Sequence, residues 1–129
     1  MNIVFLDRDT LSPQTTLRHP TFAHEMRSYG RTLPDEVGDR IADADIVIVN
    51  KVKLPASAID QAKRLRLIAV AATSTDNVDL QACKARGIVV SNIRNYAVHT
   101  VPEHTFALIF ALRRSICAYW DAEIGRAHV

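Results

Sequence analysis

Four short runs of β-forming residues, Ile3–Leu6, Ile46–Val49, Leu67–Ala71 and Ile88–Val90, are apolar without interruption. A strand with one wet face alternates apolar and polar residues. An unbroken run suits a strand covered on both faces, as in a parallel sheet whose crossover helices lie across it. Helical segments separate these runs. Thr32-Leu33-Pro34-Asp35 reads as a capped start leading into Glu36–Ala42. Pro55 opens Ala56–Lys63, Asp79 can cap Leu80–Arg86, and Gly87 ends that helix as a left-handed stop. A weaker fifth strand falls near Tyr29–Leu33. The alternation predicts an α/β fold, a flavodoxin-like doubly wound parallel sheet of about five strands.

The last element differs from the rest. Thr100-Val101-Pro102-Glu103 matches a capping box, in which the Thr hydroxyl and the Glu carboxylate satisfy first-turn donors. From Thr105 to Ala111 the helix is apolar nearly all round, as helices buried on most sides are. Little else in the chain could cover it, so a second domain or a subunit partner is expected there. The sequence divides accordingly into residues 1–98, a long helix over 99–120, and an atypical tail at 121–129.

Composition excludes several roles. A net charge of +2, with no Lys/Arg run longer than two, gives no footprint for nucleic acid. The longest apolar run, Phe106–Leu112, is too short to span a bilayer. The N-terminus lacks the basic and apolar regions of a signal peptide, so a cytoplasmic setting is expected. Cys83 and Cys117 fit no metal or redox spacing and read as buried free thiols in a reducing compartment.

Ligands of open parallel sheets bind beyond the carboxyl ends of the strands. Four loops lie there: Asp7–Ser12, Asn50–Lys53, Ala72–Asn77 and Ser91–Ala97. They gather hydroxyls, amides and cations, among them Asn50, Lys51, Lys53, Thr73, Ser74, Thr75, Asn92, Arg94 and Asn95. Backbone N–H groups, hydroxyls and an ammonium suit a small carboxylate. Solvated polar loops would look the same from composition alone.

The stretch Thr73-Ser74-Thr75-Asp76-Asn77-Val78-Asp79, then Gly87-Ile88-Val89-Val90-Ser91-Asn92, then Val101-Pro102-Glu103-His104-Thr105-Phe106-Ala107-Leu108, resembles the D-isomer-specific 2-hydroxyacid dehydrogenase family. Leu6-Asp7, Thr10-Leu11-Ser12-Pro13 and Asn50-Lys51 are similar to its glycerate dehydrogenase (hydroxypyruvate reductase) branch. The resemblance covers residues 1 to about 120. It implies reversible hydride transfer between NAD(H), with NADP open, and a small 2-oxo or 2-hydroxy acid. It also implies a flavodoxin-like substrate domain paired with a Rossmann domain in a homodimer. It places the substrate carboxylate on the backbone amides of Thr73-Ser74-Thr75, Lys51 at the mouth of the cleft, and Thr100 near the cofactor. Ser74 stands where relatives usually carry glycine. That implies either strain on the order of 1 kcal/mol or a subfamily variation.

The family's catalytic Arg, His and acid lie beyond the Rossmann segment, so no catalytic residue maps onto this chain. His99 and His104 are five residues apart, do not share a helix face as a metal pair would, and are not assigned that role. The four glycines, Gly30, Gly38, Gly87 and Gly125, form no G-x-G-x-x-G, so a complete dinucleotide site is not expected and the piece alone is expected to be inactive. Glu123-Ile124-Gly125-Arg126-Ala127-His128-Val129 is what GAG ATC GGA AGA GCA CAC GTC would encode, a common sequencing-adapter sequence. The coding nucleotides distinguish that origin from a natural divergent end.

Two other readings compete. Val4-Phe5-Leu6-Asp7-Arg8-Asp9-Thr10 matches the strand and Asp-x-Asp-x-Thr of haloacid-dehalogenase-type phosphatases, with Asp7 as nucleophile, Asp9 as acid/base and Mg²⁺ between them. The later acidic pair that such a metal site needs has no counterpart on a strand end, so no metal site is assigned. A non-enzymatic α/β module that binds small acids, or a partner through the apolar helix, is the other.

Overall fold

The computed structural model describes residues 1–126. Ala127, His128 and Val129, the end of the tail read above as adapter-derived, lie outside the described residues. The chain divides into two compact units, residues 1–94 and residues from Asn95 onward.

The first unit is built on strands β1 (Asn2–Phe5), β2 (Glu25–Ser28), β3 (Ile46–Val49), β4 (Leu67–Val70) and β5 (Val89–Asn92). Every pairing is parallel, in the order β2-β1-β3-β4-β5. This 2-1-3-4-5 order is the flavodoxin-like arrangement expected from the strand–helix alternation. Helices α1 (Val37–Ile41), α2 (Ala56–Gln61) and α3 (Leu80–Ala85) connect the later strands. Val37 and Ile41 of α1, Ala58 and Ile59 of α2 and Cys83 of α3 share one core with Val4, Val47, Val49, Ile68 and Val70. The expected two-sided burial is met at β1, where Ile3, Val4 and Phe5 are all buried. In β3 and β4 it is met on one face only, because Ile46, Ile48, Leu67 and Ala69 are half-buried.

The fifth strand lies at Glu25–Ser28, earlier than the expected Tyr29–Leu33. It is an edge strand, and its Glu and Arg leave no apolar run to mark it. Ladder-type bonds do continue past its end, with Tyr29 N–H donating to Phe5 O at 2.8 Å and Arg8 N–H to Tyr29 O at 2.8 Å. The expected start of α1 also changes. Thr32 does not cap it; its hydroxyl is buried and donates to Leu6 O at 2.5 Å. A side chain does reach back at this start, since Glu36 Oε2 accepts the Leu33 N–H at 2.7 Å. Asp79 does cap α3, accepting from Ala82 N–H at 2.9 Å, and Gly87 follows at φ +66°.

Asp45 ties the N-terminal edges of β1 and β3 together. It is buried, accepts the Asn2 N–H at 2.7 Å, and meets Arg64 at 3.1 and 3.2 Å. The Asn2 amide, with help from Arg64, holds this carboxyl below its ordinary value of 3.8. A carboxylate depressed in the folded state stabilises above its unfolded pKa, and that stability is lost as pH falls through the folded pKa. Unfolding free energy should therefore drop as the solution is acidified below about pH 4. Asp45→Asn should flatten that limb, which urea melts across pH 2–6 would measure.

The second unit carries α4 (Thr100–Arg113) and α5 (Ile116–Arg126). The single helix expected over 99–120 is broken at Ser115, which sits at φ 51° and donates its N–H to Leu112 O at 3.2 Å. The capping box is also not formed. Residue His99 precedes the helix in helical conformation, and no side chain caps it. The chain already turns helically from Ala97, so the Val101 and Glu103 amides find the Ala97 and His99 carbonyls at 3.3 and 3.0 Å. No residue of α4 is buried within the chain; Phe106, Leu108, Ile109, Phe110 and Leu112 are all exposed. Cys83 is buried as expected, and burial pushes its thiol up. Cys117 is exposed, against the expectation, because it lies on α5 where none of the described residues covers it. No described helix is long and apolar enough to cross a membrane.

Candidate functional site

Parallel neighbours β1 and β3 bring Asp7 beside the loop that begins at Asn50. Asp7 is only 2% exposed. A carboxylate this deep must be paired or hydrogen-bonded. Its two oxygens accept three successive backbone amides: Asn50 at 2.9 and 3.1 Å, Lys51 at 2.5 Å and Val52 at 3.0 Å. Asn77 holds the same loop from the other side, donating Nδ2 to Val52 O at 2.9 Å and to Asn50 O at 3.4 Å. A short parallel bridge between Leu54 and Val78 continues the joint, with Leu54 N–H on Asn77 O at 2.7 Å and Asp79 N–H on Leu54 O at 3.0 Å. The loops after β3 and β4 are thus one fastened unit.

Thr73, Ser74 and Thr75 lie in the loop after β4. The Thr73 and Thr75 carbonyls and the Ser74 hydroxyl are engaged. Asn92 Nδ2 donates to Thr73 O at 2.6 Å, Val78 N–H to Thr75 O at 2.9 Å, and Asp76 N–H to Ser74 Oγ at 3.2 Å. The amides of Thr73, Ser74 and Thr75 donate to no protein acceptor among the described residues. Ser74 is not among the residues at positive φ, so of the two alternatives the left-handed backbone strain is not seen. Its hydroxyl instead closes a local turn, which glycine could not do.

A cleft of about 670 Å³ opens at the carboxyl ends of β1, β2 and β3. Asp9, Arg31, Lys51 and Lys53 are charged residues on its wall, alongside Pro34, Val52 and Pro55. Arg40 stiffens the adjoining segment: it donates to Arg31 O at 2.7 Å, to Thr32 Oγ1 at 2.6 Å and to Glu36 at 2.8 Å, with its guanidinium 4.1 Å from the Tyr29 ring centre. Gly30 passes close to Asp9, and a Cβ there would collide with that carboxylate. Thr10 joins the rim, donating to Asp7 O at 2.6 Å and accepting from Asn50 Nδ2 at 2.9 Å.

Of the residues singled out from the sequence, Lys51 lines this cleft; Thr73, Ser74 and Thr75 are not among its lining residues and lie on the neighbouring loop, which Asn77 joins to that of Lys51. Thr100 belongs to the second unit, as do the exposed His99 and His104. The phosphatase reading fails on Asp7, since a nucleophile whose oxygens are committed to three amides and buried cannot attack a phosphate. No group of three or more His, Cys, Asp or Glu among the described residues could hold a metal ion. Nor do the residues present fit a dinucleotide. Pyrophosphate binding needs a glycine-rich turn and a helix N-terminus after the first strand. Here β1 runs instead into Asp7, Asp9 and a single 3₁₀ turn at Arg8–Thr10.

An α/β domain with a five-stranded parallel sheet and an amide-rich loop end is the class this geometry defines. Residues 4–120 match the model of the D-isomer specific 2-hydroxyacid dehydrogenase catalytic domain, and the chain belongs to that family. It is 51% identical over 118 residues to a glycerate dehydrogenase of Methylorubrum extorquens, covering 91% of this chain and 37% of that enzyme. An acyclic imino acid reductase solved with NADPH and D-Arg superposes with TM-score 0.68 at 26% identity, over all of this chain and 42% of that one. The D-lactate dehydrogenase of Aquifex aeolicus, solved with NAD and lactic acid, gives 0.64 at 25% identity, over 86% of this chain and 33% of that one.

Proposed function

We propose that this chain supplies the substrate half of an NAD(P)-dependent D-2-hydroxyacid dehydrogenase of glycerate dehydrogenase type. The three free amides of Thr73, Ser74 and Thr75, on a loop fastened to that of Lys51, carry the proposal. Successive N–H groups suit an anion, and an ammonium on the adjoining loop suits a second anionic or polar end of a small acid. The nicotinamide supplies the hydride when bound; the residues here bind and orient the acid. Glycerate, hydroxypyruvate and glyoxylate are the acids proposed, in keeping with the glycerate dehydrogenase likeness.

Residues 1–98 act as the substrate domain, and residues 99–120 lead toward the dinucleotide-binding half, where Thr100 would approach the cofactor. The exposed apolar side chains of α4 support a covered position in the whole enzyme, against that half or a second copy in a homodimer. The free thiols favour a reducing, cytoplasmic setting. Having no glycine-rich phosphate turn, the 129-residue chain is proposed to be inactive by itself.

A joined enzyme tests this: residues 1–120 replacing the matching part of the Methylorubrum extorquens glycerate dehydrogenase. It should oxidise NADH when given hydroxypyruvate, while the 129-residue chain should not. A folded joined enzyme with no such activity would refute the assignment.

A further inference from the structure

We propose that Asp7 is a positioning residue for substrate binding: a built-in carboxylate that fills the amide nest of Asn50, Lys51 and Val52 and so sets where Lys51 stands. The inference rests on the proposed role of Lys51 in binding the acid. Three observations carry it.

The first is burial without an ion pair. Asp7 is 2% exposed, and none of the described ion pairs includes it. Its charge is met by amides alone, at 2.5–3.1 Å. Charge-assisted bonds of this kind are about twice as strong as neutral ones. The second is what the nest would otherwise do. Consecutive backbone N–H groups form an anion-binding concavity, and this one lies on the loop that carries Lys51 at the cleft. Left open, it would compete with the free amides of Thr73–Thr75 for the substrate's carboxylate. Asp7 closes it with the protein's own anion. The third is the direction of the constraint. Asn77 holds the carbonyls of Asn50 and Val52 while Asp7 holds the amides, so the loop is gripped from both sides. The shortest of these contacts, 2.5 Å, is to Lys51 itself. The Lys51 ammonium has a long, flexible stem, so a fixed backbone is what limits its reach.

The test uses the joined enzyme, NADH and hydroxypyruvate, with kcat and KM measured separately. Asp7→Ala should raise KM on the order of tenfold, with kcat little changed. Sodium formate, a carboxylate small enough for the vacated nest, should bring KM back toward the parent value. Asp7→Ala combined with Lys51→Ala should raise KM no further than Lys51→Ala alone, because both act through one ammonium. Should Asp7→Ala not fold, Asp7→Asn, which keeps one accepting oxygen, is compared with Lys51→Ala in the same way. If Lys51→Ala raises KM while the Asp7 variant leaves it unchanged, or if the two effects add, the positioning inference is overturned and the binding role of Lys51 stands. If Lys51→Ala itself leaves KM unchanged, the reading beneath the inference is overturned.

Discussion

In the joined enzyme, Lys51→Ala should raise KM for hydroxypyruvate by roughly ten- to a hundredfold. A hydrogen bond to a charged group contributes about 1.5–3 kcal/mol, and each 1.4 kcal/mol is a factor of ten. Among the described ion pairs none includes Lys51, so its ammonium is available to an incoming anion. Its backbone is held by Asp7, and the residue lines the cleft at the carboxyl ends of the strands. If the ammonium binds the acid equally in ground and transition states, KM rises and kcat holds. Lys51→Arg keeps the charge but spreads it over a planar fork, so it should recover part of the loss and not all of it. Steady-state kinetics with NADH in excess measures both. An unchanged kcat/KM in Lys51→Ala would remove this residue from the site.

Ile68→Ala should cost about 2–5 kcal/mol of folding free energy. Ile68 is fully buried at the centre of β4, in register with Val47 on one side and Val90 on the other. It belongs to the core that α1, α2 and α3 share. Small domains are stable by only about 5–15 kcal/mol, so this truncation would take a large part of the total. Asp60→Ala, at an exposed position of α2, should stay within about 0.5 kcal/mol. Urea denaturation of the two variants and the parent chain compares them. Equal midpoints for all three would mean that Ile68 does not pack in the shared core.

How much of this was legible beforehand follows from what each signal depends on. The runs at Ile46–Val49 and Leu67–Val70 are read directly because a central strand has to be apolar. Glu25–Ser28 is not, because an edge strand needs no apolar run and tolerates Glu and Arg. The Asp79 cap and the Gly87 stop are local, three- and one-residue signals, and both are formed. The Thr100 box is local too, but helical turning from Ala97 gives its amides carbonyl partners first. The break at Ser115 carries no glycine or proline to announce it.

The site divides in the same way. The loops that carry Lys51 and Thr73–Thr75 can be placed at the carboxyl ends of the strands from strand order alone, while the choice of these residues as acid-binding comes from the family resemblance and remains a proposal. The hydrogen bonds of Asp7 cannot be read from the sequence, since its partners are 43–45 residues away and meet it only through the pairing of β1 with β3. The available clue was an acid at the end of an entirely apolar strand, where burial was to be expected and partners were required. Read as a short motif, the same residue pointed to phosphatase chemistry. Its hydrogen bonds point to architecture.

The proposed seat of the acid's carboxylate is the amides of Thr73, Ser74 and Thr75. A crystal structure of the joined enzyme with NADH and D-glycerate tests it most directly, because both partners are already reduced and cannot react. The carboxylate oxygens should lie within hydrogen-bond distance, about 2.7–3.2 Å, of at least two of those three amide nitrogens, with Lys51 turned toward the bound acid. A glycerate bound elsewhere, with those amides facing only solvent, would contradict the account.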